Sequence, residues 1–114
     1  MQAAELYYRI QRYDEALVYL LKANQLQPDN VETIANLGMV NMDAGHLDDA
    51  EKWFKLALFR QSDNTMVLAA YGALLLQRGD VQRAGETLSR LEKLDPANGD
   101  LPELRNQLRI LKSK

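Results

Sequence analysis

The chain has 114 residues, 14 Lys and Arg against 16 Asp and Glu, and no cysteine. That length supports a domain with its own core, and the missing cysteines exclude a disulfide framework, a thiolate metal cluster and a cysteine nucleophile, so the redox compartment is undetermined. A net charge of −2 without a run of five like charges gives no bulk attraction to a polyphosphate backbone. No apolar stretch approaches the roughly 18 residues of a membrane span, and the first ten residues lack the basic start and apolar middle of a signal peptide. The sequence reads as that of a soluble chain of unknown compartment, cytoplasm being favoured and periplasm open to a fragment of a longer exported protein, and its 46% apolar content excludes extended disorder.

A repeat of 34 residues organises everything else. Ala16, Ala50 and Ala84 obey it, as do Leu20, Phe54 and Leu88, then Tyr13, Leu47 and Val81. Gly38 with Gly72, Gly45 with Gly79, and Asn30, Asn64 and Asn98 keep the same step. The boundaries are residues 1–30, 31–64 and 65–98, with 99–114 left over.

In the first unit, Met1 falls at the fifth position, so a first helix lacks its opening turn and the chain start reads as cut. Ala3, Leu6 and Ile10 share a face that would pack against an earlier repeat or pair two copies of the chain. Asp14 opens a second helix, which Pro28 ends, and Tyr7, Tyr8, Tyr13 and Tyr19 are expected to pack within this unit. In the second unit, Ile34, Leu37, Gly38 and Asn41 follow helical spacing up to Gly45. A second run of Leu47, Ala50, Phe54, Ala57 and Leu58 opens with Asp48 and Asp49. Each carboxylate gains about 0.3 to 1 kcal/mol from the positive end of the helix dipole. Trp53 is expected to be partly buried between adjacent hairpins. The third unit turns at Gly79, continues through Val81, Ala84 and Leu88, and stops at Pro96. Small residues allow close helix crossings, so Gly38 is expected to meet Ala50 and Gly72 to meet Ala84. In residues 99–114, Asp100 is the expected N-cap with Glu103 behind it and Pro102 in the first turn. Leu101, Leu104, Leu108 and Leu111 form an apolar stripe opposite Arg105, Arg109 and Lys112, as suits a helix covering the end of a repeat stack.

Catalytic groups are sparse. The one histidine, His46, falls in the turn after Gly45 with no nucleophile set beside it by the repeat. Asp43, Asp48 and Asp49 flank that turn without the spacing or central glycine of a calcium loop. With no strands expected, no phosphate loop follows one. The sequence therefore predicts no enzyme, no metal and no cofactor. The final helix and its flank carry four cations against Asp100 and Glu103, too few for a nucleic-acid or membrane site.

The segments Ile34-Ala35-Asn36-Leu37-Gly38, Gly45-His46-Leu47-Asp48-Asp49-Ala50 and Phe54-Lys55-Leu56-Ala57 resemble the tetratricopeptide repeat, a helical hairpin of 34 residues. Tyr13-Asp14-Glu15-Ala16 through Pro28-Asp29-Asn30 and Gly79-Asp80-Val81 through Asp95-Pro96 match the same pattern. Ser62, Leu91 and Asn41 depart from it, where proline, alanine and an aromatic are usual. The resemblance implies an all-α, right-handed superhelical solenoid of three hairpins with a C-terminal capping helix. It implies a groove on the inner faces of the first helices, holding a peptide or helix of a partner protein. By repeat phase these positions are Glu5, Tyr8 and Arg9; then Glu32, Ala35, Asn36, Met39, Met42 and Asp43; then Met66, Ala69, Ala70, Ala73, Leu76 and Gln77. Chaperone-docking members hold a C-terminal carboxylate with basic and Asn residues; here those positions read Met1, Glu5, Asn36, Met66 and Ala70, so only Asn36 remains. What remains is a methionine-rich trough suited to an apolar segment. The implied function is a non-catalytic protein-interaction scaffold, in the sharper form an assembly or secretion chaperone or adaptor. The alternative is an architectural or self-association module within a longer multi-repeat protein.

Overall fold

The computed structural model describes the backbone of residues 3–114 and the side chains of residues 10–114. Six helices follow in order: α1 (Ala3–Leu26), α2 (Val31–Asp43), α3 (Leu47–Arg60), α4 (Thr65–Gln77), α5 (Val81–Leu94) and α6 (Leu101–Lys112). Among the described residues there is no strand. The fold is an all-α helical repeat. It divides into two compact units, residues 1–60 and 61–114.

The repeat phase reappears as helix punctuation. Asn30 and Asn64 have extended backbones, and their side chains accept from the N–H groups of Thr33 and Val67 at the starts of α2 and α4. At the other ends of those helices the chain turns left-handed at Gly45 (φ 85°) and Gly79 (φ 77°). The N–H groups of Gly45 and His46 donate to the carbonyls of Met42 and Asn41, while those of Gly79 and Asp80 donate to Leu76 and Leu75. This paired pattern satisfies carbonyls that a helix end leaves open, and glycine adopts it without a Cβ clash.

The first repeat departs from the expected hairpin. Helix α1 runs unbroken through Asp14, which therefore opens no second helix. The position 34 residues before Gly45 is Gln11, and Arg12 stands where Asp80 caps α5. Without a glycine to take the left-handed turn, and without a cap to start a new helix, continuing is the lower-energy course.

In the first unit α2 packs against both α1 and α3; in the second α4, α5 and α6 pack against one another. Ile34, Leu37, Ala50, Phe54 and Ala57 are buried in the former. The latter buries Val67, Leu68, Leu74, Leu75, Ala84, Leu88 and Leu91, with Leu101, Leu104 and Leu108 of α6. The apolar stripe of α6 thus lies against the α4–α5 hairpin as its spacing predicts.

At the close crossings the glycines meet large side chains of the neighbouring helix. A Cβ on Gly38 would stand 2.6 Å from the Phe54 ring, and one on Gly72 would stand 3.0 Å from Leu88 Cδ2. Ala50 and Ala84 are fully buried. In the second hairpin Asp80 accepts from the Arg83 N–H, while the Arg83 guanidinium donates to Tyr71 Oη and lies 5.7 Å from that ring's centroid.

Two further expectations are corrected. Asp100 makes no side-chain cap bond, because its backbone is already in the right-handed helical region (ψ −18°); Asn98 Oδ1 instead accepts from the Asp100 N–H. Tyr19 is 73% exposed rather than packed. Trp53 is half-buried, with Lys52 Nζ 5.8 Å from its ring centroid.

Candidate functional site

Helix α2 has 13 residues, and its apolar side chains divide by face. Ile34, Ala35, Leu37 and Gly38 are buried, so Ala35 belongs to the core and not to a groove. The opposite stripe carries Asn36, Met39 and Asp43 at three- and four-residue steps, with half-buried Met42 beside them. Met39 leaves 39% of its surface to solvent. Asn36 is half-buried and Asp43 exposed.

Helix α4 is buried almost all round, and its open stripe is narrow. Met66 is 52% exposed at its start, Ala70 and Ala73 are half-buried, and Gln77 is exposed at its end. Leu76 and Ala69, expected along this stripe, are only 5% and 7% exposed and join the core. Three- and four-residue steps leave both one position off the Met66–Ala70–Ala73–Gln77 line, which a repeat-phase transfer does not resolve. Glu5, Tyr8 and Arg9, with Ala3 and Leu6 of the expected pairing face, lie outside the described side chains. Ile10 of that face is 50% exposed.

These stripes offer an adaptable apolar surface with few polar fixtures. Methionine reshapes at low cost and small alanines admit a close neighbour. His46 takes a structural place: Asn41 Nδ2 donates to the Leu37 carbonyl at 2.8 Å, and its Oδ1 lies 3.4 Å from His46 Nδ1. Among the described residues no group of three or more His, Asp or Glu is arranged to hold a metal ion. No described helix is long and apolar enough to cross a membrane.

A second surface lies in the unit of residues 61–114 and escaped the sequence reading. Helices α5 and α6 border a cleft of about 580 Å³, with Val81, Gly85 and Leu108 in its lining and Arg90, Lys93, Arg105 and Lys112 around it. The one legible signal was Gly85, a glycine in the interior of an amphipathic helix.

The fold and these surfaces define a helical-repeat protein with open stripes on the first helix of each hairpin. A model of the tetratricopeptide repeat matches residues 7–74, more than half of the chain, and the chain belongs to that family. A TPR repeat-containing protein of Pseudomonas aeruginosa is 39% identical over 56 residues. That match spans 49% of this chain but only 10% of the relative. Among solved structures, the first TPR of Spaghetti (RPAP3) bound to the HSP90 peptide SRMEEVD superposes with a TM-score of 0.79 at 22% identity, covering 96% of this chain and 84% of that one.

Proposed function

We propose that this chain is a non-catalytic protein-interaction module that takes a peptide or helix of a partner protein on an open helix stripe, that of α2 in one unit or that of α4 in the other. The observation that carries this reading is the exposure of Met39 and Met66 on helices whose other faces are committed to the core. Family membership supports it, as does the peptide held by the solved relative. The ligand chemistry differs from that relative's acidic peptide. Of the clamp positions, Asn36 alone is of the right type, while Met66 and Ala70 supply apolar surface. The favoured ligand is an apolar segment.

The strength follows from the anchors. Three or four buried anchors gain roughly 1.5 to 3 kcal/mol each, and association costs about 4 to 15 kcal/mol. Micromolar-order binding results, adequate for an assembly chaperone or adaptor that must release its client. Affinity capture with the wild type, Met39→Glu and Met66→Glu tests this, with thermal melting as the folding control. Partners that depend on the stripes should fall at least about tenfold; full retention by both variants rejects the reading.

A second reading is an architectural or self-association module in a longer repeat protein. Ile10, Val18 and Leu21 on α1 are 50%, 55% and 44% exposed, which favours a covering neighbour, and the matched relative is far longer than this chain. Sedimentation over a wide concentration range addresses the self-association form: a dimer lost in Ile10→Glu supports it, and a monomer throughout removes it.

A further inference from the structure

We propose that the cleft between α5 and α6 is a docking site for an acidic amphipathic helix of a partner protein, separate from the stripes of α2 and α4. The charge around it is opposite in sign to that of the whole chain. Arg90, Lys93, Arg105 and Lys112 line it against a single carboxylate, Glu86, although the chain carries −2. Glu92 holds Arg105 at 2.9 Å, but Arg90, Lys93 and Lys112 are exposed and form no ion pair among the described residues. A neighbouring concavity of about 530 Å³ shares Arg105, Leu108 and Lys112 and adds Arg109, which extends the positive surface along α6.

Among these charges the cleft has an apolar floor. Val81 and Leu108 line it, and between them Gly85 offers bare backbone. Internal packing does not require that glycine, because a Cβ there would meet Leu108 Cδ2 at 3.8 Å, an ordinary contact. A glycine inside a helix weakens the helix, and its use here is close approach by something outside. An apolar side chain seated over Gly85, flanked by carboxylates toward Arg90, Lys93 and Lys112, satisfies both floor and rim. The notch between two packed helices receives a third, and the 12 residues of α6 set its length at about three turns, roughly 18 Å. Nucleic acid fits less well: Glu86 and Glu92 interrupt the cations, and the cleft lining offers no aromatic ring for base stacking.

The test uses synthetic helical peptides of about 14 residues (roughly 21 Å at 1.5 Å per residue) with one leucine face. One peptide is flanked by Glu, one by Lys, and a third replaces Leu with Gln; a single-stranded RNA of similar charge completes the set. Fluorescence anisotropy should show the Leu/Glu peptide binding at least about tenfold tighter than the other three, and weakening as salt rises. The double variant Lys93→Glu/Lys112→Glu, which alters exposed side chains only, should lose at least about tenfold. Gly85→Leu should do the same by filling the floor. Met39→Glu should bind the peptide unchanged, so failure of the α2 and α4 reading leaves this result standing, and the reverse. Equal binding of the Lys-flanked peptide, preference for RNA, indifference to the charge reversal, or no binding of the Leu/Glu peptide overturns the proposal.

Discussion

Gly38 and Gly85 are both helical glycines, yet substitution should move stability in opposite directions. At Gly38 a methyl would press on the Phe54 ring at 2.6 Å, inside any tolerable contact. Gly38→Ala should therefore cost about 1 to 3 kcal/mol, the range for overpacking a core. At Gly85 a methyl would meet Leu108 at 3.8 Å. Helix propensity then dominates, and Gly85→Ala should stabilise by up to about 1 kcal/mol. Chemical denaturation of the two variants beside the wild type decides the matter, and the same sign for both would contradict the packing described. Ala50 is fully buried, so Ala50→Phe should also destabilise by at least about 1 kcal/mol.

At the scale of the element, each hairpin depends on a cap and a turn. Replacing Asn30 or Asn64 by alanine removes the acceptor for Thr33 or Val67 N–H and should cost about 0.5 to 2 kcal/mol. Gly79→Ala forces a Cβ into the left-handed region at φ 77°, at a further cost of about 1 to 2 kcal/mol, visible as a lower thermal midpoint. Helix α1 is the complementary case. It continues through the place where the other two hairpins turn because Gln11 holds the glycine position. Gln11→Gly should weaken α1 by roughly 0.5 to 1 kcal/mol and speed amide exchange around Tyr13, whereas Gly45→Gln should damage the α2–α3 turn.

At the scale of the molecule, burial is uneven. No described side chain of α1 is fully buried, while α4 buries eight of its residues. Local opening follows buried contacts, so hydrogen exchange should be slowest in α4 and fastest in α1. Equal protection of the two helices would contradict that gradient. The binding surfaces obey the same logic. The stripes on α2 and α4 are what remains open after each helix has committed its other faces, and the α5–α6 cleft is what remains where Gly85 supplies no side chain.

The 34-residue spacing of alanines, glycines and asparagines was enough to determine the helical repeat and its turns at Gly45 and Gly79, and the leucine spacing after Asp100 the packing stripe of α6. Those features are local or periodic: a left-handed turn needs glycine, and a stripe at helical spacing buries one face. Which large side chain a helical glycine meets depends on where two helices cross, and Gly38 meets the Phe54 ring. Leu76 was misplaced because one step of about 100° around a helix separates a groove position from a core one. The unbroken course of α1 was legible at Gln11, but the repeat phase outweighed that single residue. Only the tertiary structure decided that cations on α5 and α6 share one cleft, because charges at positions 90, 93, 105 and 112 become neighbours when two helices pack.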